Sequence, residues 1–155
     1  MINNAIRRQD REITESEAIE IIQKGEYGVL SICSPNGGYG IPLNYALKDR
    51  TLYFHCAIEG SKLDYLRNNN KASFCVVGKT EVLPSKFATN YESVIAFGLA
   101  TEVEGEEKRE ALMLIVEKYS ADFIQEGKEY LEKLYDRVKV LKLSIESITG
   151  KARKQ

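Results

Sequence analysis

The chain has 155 residues, of which 43% are hydrophobic and 29% are charged, and its formal net charge is -1. This length suits one domain with a substantial core, and the composition excludes a disordered chain. The near-neutral charge gives no reason to expect a nucleic acid or an anionic membrane as partner. Residues 1–12 lack a signal-peptide apolar stretch and no apolar run could cross a bilayer, so we expect a cytoplasmic protein.

The first half of the chain predicts a helix followed by three strands. Thr14 and Glu17 form a capping box at the start of the helix, and Gly25 is placed to end it. The three strands are expected to form an antiparallel meander, and their ranges are 27–33, 39–47 and 51–57. Because proline cannot donate a ladder hydrogen bond, Pro42 places the second strand at an edge or a bulge.

The second half predicts three more strands and three helical stretches. Gly98 lies in the middle of the fifth strand, where we expect a bulge or a close backbone approach. Strands joined mainly by turns, with helices early and late in the chain, indicate a mainly β fold, an antiparallel barrel with flanking helices. The predicted strands are 71–78, 94–104 and 137–148, and the predicted helical stretches are 61–67, 106–119 and 130–134.

The cysteines and the single histidine give no indication of a metal site. Cys33, Cys56 and Cys75 all lie in apolar strand-like runs, and no Cys-x-x-Cys spacing occurs. We interpret them as small buried hydrophobic residues rather than redox groups. With His55 as the only histidine, the sequence predicts no bound metal.

The stretch YFHCAIEGSKLDYL, residues 53–66, passes from a strand into a helix through Gly60, Ser61 and Lys62. Free N–H groups at a helix start, a hydroxyl and an ammonium group suit a phosphate, although the same residues are more often simply a helix cap. Strand alternation puts His55 on the face away from Phe54, nearer solvent or a cleft. There it is either a site residue or a hydrogen-bonded surface histidine.

Two further polar stretches leave alternatives open. The cluster at 89–93 contains Tyr91, which could stack on a planar ring, and the cluster is either turn chemistry or a binding edge. The basic tail with Lys151, Arg153 and Lys154 is expected to be solvated, although it could also contact an anion.

Taken in order, several stretches resemble the nitroimidazole-resistance (Nim-type) proteins, which belong to the pyridoxamine 5'-phosphate oxidase-like, FMN-binding split barrels. The resemblance runs from Arg7 to Lys154, and the stretches are RRQDREI, YGVLSIC, YGIPLNYAL, LYFHCAIEGSKLDYL, FCVVGKTEVLPSKFATNYESVIAFG, KYS and ITGKARK. It implies one domain over residues 1–155, a six-stranded antiparallel split β-barrel, and a homodimer with FMN at the subunit interface.

The resemblance also implies a set of flavin-binding residues, with FAD as the alternative to FMN. Lys62 would pair with the phosphate, Tyr91 and Ser93 would come from the other subunit or line the open face, and His55 is the catalytic candidate. His55 would contact either the flavin ring or the substrate, or would only support the site. The assigned residues are Pro42, Leu43, Asn44, Phe54, His55, Cys56, Gly60, Ser61, Lys62, Tyr91 and Ser93.

The implied activity is flavin-dependent reduction of a small planar acceptor such as a nitroaromatic, with NADH or NADPH as donor. The alternative is a flavin- or haem-binding module without turnover: a carrier, redox sensor or storage protein. A third reading, a small nucleic-acid-binding barrel, is disfavoured by the net charge of -1. Ser61 before Lys62, and no evident second phosphate cradle, argue against pyridoxamine phosphate as substrate.

Overall fold

The computed structural model describes residues 5–155, which form one curled antiparallel sheet flanked by helices. The strands are β1 Gly28–Ser34, β2 Gly37–Leu43, β3 Ala46–Lys48, β4 Thr51–Ala57, β5 Lys71–Leu83, β6 Ala88–Val103 and β7 Val138–Arg153. The α-helices are α1 Glu15–Lys24, α2 Ser61–Asn68, α3 Gly105–Tyr119 and α4 Ile124–Leu134. No helix within residues 5–155 is both long and apolar enough to span a membrane.

The strand order is β2-β1-β5-β6-β7-β4-β3, so β2 and β3 occupy opposite edges of the sheet. Only residues 44 and 45 separate these two edge strands. Three residue steps reach at most about 11 Å, so the two edges must lie side by side and the sheet must curl into a barrel. Within the described chain no ladder joins β2 to β3, and the barrel is therefore split along this line.

The structure has seven strands rather than six, because the predicted strand 39–47 divides at the split. Asn44 and Tyr45 leave the ladder and bond elsewhere. The Asn44 side-chain amide donates to the Glu26 carbonyl at 2.8 Å, and the Tyr45 N–H donates to the Tyr119 hydroxyl at 3.0 Å. The predicted meander is consequently wrong as a continuous unit, although its hairpins β1–β2 and β3–β4 both form. Pro42 lies on an edge strand, as predicted.

Two other predictions change because strands run further than their apolar patterns. Residues 80–83 of β5 pair with residues 88–91 of β6, so the stretch between the predicted strands 71–78 and 94–104 forms a projecting hairpin, here called the β5–β6 arm. Strand β7 continues to Arg153, which pairs with Tyr91. The basic tail is therefore part of a strand up to Arg153, where it pairs with the end of β6, and is not the solvated segment that we expected.

The barrel core is aromatic where the sheet closes on itself. The Phe74 ring lies 4.9 Å from the rings of both Tyr45 and Phe54, and all three side chains are buried. Helix α1 packs against the core with Ala18, Ile21 and Ile22, and its predicted capping box is present. A second cluster lies beneath α3 and consists of Tyr53, Val103, Ala111, Leu112 and Val140.

The three cysteines do not share one environment, contrary to the prediction that all are buried. Cys56 is buried in the core, Cys75 is half-buried, and Cys33 is exposed. Strand alternation explains Cys33, since its neighbour Ile32 occupies the inward position of β1.

Candidate functional site

The junction of β4 and α2 places a helix start at an exposed position. Gly60 is the N-cap of α2, its φ is 141°, and no side chain caps the helix. A positive φ favours glycine, so the residue type follows from the backbone conformation. The first N–H groups of α2 thus lack a side-chain acceptor and form, beside the exposed Ser61, a site suited to an anion.

His55 and Lys62 lie close enough to influence each other electrostatically. His55 is exposed on β4, as strand alternation predicts, while Lys62 is half-buried in the first turn of α2. Partial burial of the imidazole by surrounding residues lowers the pKa of His55, and the positive charge of Lys62 lowers it further. Both effects favour the neutral imidazole, the form that can both donate and accept a hydrogen bond.

Lys62 itself has no carboxylate partner in the part of the chain that the structure describes. A half-buried ammonium group beside uncapped helix N–H groups adds a full charge to the partial charge of the helix. The β4–α2 junction is consequently the part of this site best suited to a phosphate.

The predicted residues of β2 approach the same region from across the split. Ala46 at the start of β3 pairs with Tyr53 of β4, and only residues 44 and 45 join β3 to the end of β2, so the end of β2 lies near β4. Pro42 and Asn44 are exposed at this end of β2, whereas Leu43 is half-buried against the core. The segment 42–44 and the outer face of β4 therefore border one open surface.

Phe54 and Cys56 lie next to His55 in sequence, but their side chains point into the barrel. Phe54 is fully buried against Phe74, and burial raises the pKa of the Cys56 thiol. These two residues can support the site from behind and can offer main-chain groups, but their side chains do not line its surface.

Tyr91 and Ser93 are not brought to His55 within one chain. Ser93 pairs with Lys151 and His55 pairs with Val140, and these two partners stand eleven residues apart along β7 (151 minus 140). Tyr91 instead meets Arg11, whose guanidinium lies 3.4 Å from the tyrosine hydroxyl. Sequence reasoning missed Arg11 as a neighbour of Tyr91, although it lies in the stretch RRQDREI that contributes to the family resemblance.

Residues 14–152 match the family model described as pyridoxamine 5'-phosphate oxidase. The chain belongs to this family. The match confirms the split-barrel fold expected from the sequence, with helices flanking an antiparallel sheet that does not close. Among curated proteins, none matches this sequence.

Solved structures of similar fold come from several bacteria. A proposed 5-nitroimidazole antibiotic resistance protein from Bacteroides thetaiotaomicron is 25% identical with a TM-score of 0.74, over 91% of this chain and 86% of that one. An FAD-binding protein from Mesorhizobium loti is 20% identical with a TM-score of 0.66, over 93% and 98%. An FAD- and haem-binding protein from Mycobacterium smegmatis is 15% identical with a TM-score of 0.79, over 94% and 74%.

In this member of the pyridoxamine 5'-phosphate oxidase family, the described residues thus assemble two separate polar regions. One lies at the β4–α2 junction around His55 and Lys62, and the other surrounds Tyr91 near the end of β7. The first can hold an anion beside a neutral imidazole. The second presents aromatic, hydroxyl and basic groups together.

Proposed function

We propose that the protein binds FMN at the β4–α2 junction and uses it to reduce small planar acceptors such as nitroaromatics, as a Nim-type member of its family. The observation that carries the proposal is the uncapped start of α2 beside Lys62, which has no ion-pair partner in the described chain. The similarity to a proposed 5-nitroimidazole resistance protein supports the choice of acceptor.

The phosphate of FMN would occupy the start of α2. The N–H groups after Gly60, the Ser61 hydroxyl and the Lys62 ammonium group would donate to its oxygens. A Cβ placed on Gly60 would meet nothing within 4 Å, so the space beside this residue is open. These three residues fit the charge and the donor requirements of a phosphate monoester.

The flavin ring would lie over the surface bordered by residues 42–44 and His55. Bound FMN would supply the redox chemistry, accepting electrons from NADH or NADPH and passing them to the acceptor. The neutral imidazole of His55 can hydrogen-bond either to the ring or to the acceptor. Replacing His55 with Ala should therefore change turnover or substrate affinity more than flavin retention.

A homodimer would complete this site, because Tyr91 and Ser93 lie far along β7 from His55 of the same chain. In the proposed assembly, Tyr91 and Ser93 of one subunit face the β4–α2 junction of the other. Tyr91 would then stack on, or cap, the planar ring.

The decisive test of the phosphate assignment is Lys62→Ala. Loss of the charge-assisted hydrogen bond should weaken FMN binding by about 1.5–3 kcal/mol. Titration of FMN into flavin-free protein, followed by quenching of flavin fluorescence, measures this change. Lys24→Ala, an exposed lysine at the end of α1, is the matched control and should bind FMN as the wild type does. Equal FMN affinity in Lys62→Ala and in the control would remove the phosphate assignment.

A second candidate function is a flavin- or haem-binding module without turnover, such as a carrier, a redox sensor or a storage protein. It is favoured by the fold shared with an FAD-binding protein and with an FAD- and haem-binding protein. Steady-state oxidation of NADH or NADPH with a nitroaromatic acceptor separates the two. Turnover supports the reductase, whereas stoichiometric flavin without turnover supports the module.

A further inference from the structure

Lys118, in the last turn of α3, carries an ammonium group into the interior of the protein. The side chain as a whole is half-buried, but its Nζ atom is buried and has no hydrogen-bond acceptor within residues 5–155. None of the ion pairs of the described chain includes this lysine. Desolvation lowers the pKa of Lys118 to about 8, so the group still carries its charge at pH 7.

The ammonium group lies over the aromatic core at the line where the sheet is split. Its Nζ atom is 3.7 Å from the centre of the Tyr45 ring and 5.1 Å from the centre of the Tyr119 ring. Tyr45 is fully buried and is one of the two residues that join β2 to β3 across the split. These cation–π contacts hold the ammonium group, but they supply neither a hydrogen-bond acceptor nor a counter-ion.

The next residue, Tyr119, fixes the backbone between Lys118 and the proposed flavin surface. Its hydroxyl accepts a hydrogen bond from the Tyr45 N–H at 3.0 Å and donates to the Glu26 carbonyl at 2.6 Å. The Asn44 side-chain amide donates to the same carbonyl at 2.8 Å. Asn44 borders the surface on which we place the flavin ring. Lys118 therefore lies directly behind that border, against the side chain that follows Asn44.

The position of this charge is costly for the fold. A buried cation without a partner loses its hydration and gains no ion pair in return. A neutral side chain of similar length, such as methionine, could fill the same volume without this cost. Strongly desolvated titratable groups occur preferentially at functional sites, where a protein tolerates a loss of stability. Lys118 is a residue of this kind.

We propose that the buried charge of Lys118 raises the reduction potential of the flavin bound at the proposed site. The inference rests on the proposed function, since it requires a flavin ring over the surface beside Asn44. Hydride transfer from the nicotinamide donor adds two electrons and one proton to the ring, which gains one negative charge. A cation in the protein interior is weakly screened by salt and stabilises this added charge. Lys62 would be neutralised by the phosphate, whereas Lys118 keeps its full effect on the ring.

The first experiment measures the midpoint potential of protein-bound FMN by equilibration with a reference dye. Reduction should be at least about tenfold less favourable in Lys118→Met, which is about 30 mV for a two-electron couple. Lys118→Arg keeps the charge and should restore a potential near that of the wild type. The matched control, Lys133→Met, removes an exposed lysine of α4 and should leave the potential unchanged. Equal potentials in Lys118→Met and in the control would overturn the proposal.

The second experiment separates the effect of the charge from an effect on packing. In urea unfolding of the flavin-free protein at pH 7, Lys118→Met should have a midpoint at least as high as the wild type, because it no longer buries a charge. A clearly lower midpoint would mean that the ammonium group holds the split together, and would contradict a redox role. A wild type that binds no flavin would refute both this proposal and the proposed function. Bound flavin with an unchanged potential in Lys118→Met would refute this proposal alone.

Discussion

His55 reports directly on the electrostatics of the β4–α2 junction, because it is the only histidine in the chain. Desolvation is the larger cause that lowers the pKa of its imidazole, and the positive charge of Lys62 is the smaller one. Both effects act in the same direction, towards the neutral ring. Lys62 thus contributes to the site twice, once as a candidate phosphate ligand and once by keeping its neighbour neutral.

Titration of the His55 ring by NMR tests this coupling. In the flavin-free protein the midpoint should lie below the ordinary value of 6.5. In Lys62→Gln it should rise, because removing a nearby positive charge makes the imidazolium less unfavourable. Lys24→Gln is the control and should leave the midpoint unchanged. A wild-type midpoint at or above 6.5 would contradict the environment described for His55.

Strand β6 approaches β7 unusually closely next to a break in their pairing register. Their register shifts between Phe97 and Gly98, where an added Cβ at Gly98 would lie 1.9 Å from the Ser144 carbonyl oxygen. The Ser144 carbonyl belongs to the backbone in the middle of the longest ladder, as does the Cα of Gly98, so the clash cannot be relieved without moving the sheet. The glycine foreseen in the fifth strand is thus required by a close backbone approach.

Replacing Gly98 with Ala should therefore destabilise the protein by about 1–3 kcal/mol, the usual cost of forcing extra volume into a packed interior. Chemical denaturation followed by circular dichroism measures the loss in free energy of unfolding. Gly38 on the edge strand β2 is a matched control, since a Cβ there would meet nothing within 4 Å. Gly38→Ala should change stability by less than about 0.5 kcal/mol. Equal effects at the two positions would show that the Gly98 approach relaxes freely.

At the scale of the whole molecule, the two polar regions of one chain lie too far apart along β7 to form a single site. Val77 of β5 pairs with Ser93 of β6, and the Val77 side chain is 57% exposed. One exposed apolar side chain is common on a protein surface, but Val77 shares a face with Ser93, which the proposed function places against a partner subunit. We therefore expect the second region to be supplied to each flavin by a partner subunit.

Sedimentation of the purified protein should give a dimer with twice the chain mass of 17.5 kDa. Val77→Asp should shift the protein towards monomer and weaken FMN binding together, because a carboxylate would be buried at the interface. Lys62→Ala should weaken FMN binding while leaving the dimer intact. A monomeric wild type that still binds one FMN per chain would contradict a shared site.

Features that depend on neighbours along the chain could be predicted from the amino-acid sequence. The capping box of α1, the outward position of His55, the glycine at the start of α2 and the close approach at Gly98 are all present in the structure. Each follows from helix or strand periodicity, or from the conformational freedom of one residue. The barrel class followed from the same kind of local pattern.

Contacts between distant segments became visible in the folded chain alone. In the folded chain β2 and β3 lie at opposite edges of the sheet, residues 80–91 form the β5–β6 arm, and the basic tail belongs to β7 as far as Arg153. The fold also brought Arg11 to Tyr91 across 80 residues of sequence, which no local pattern indicates. These outcomes depend on which strand edges are free to pair and on how the curled sheet closes, and both are properties of the assembled barrel.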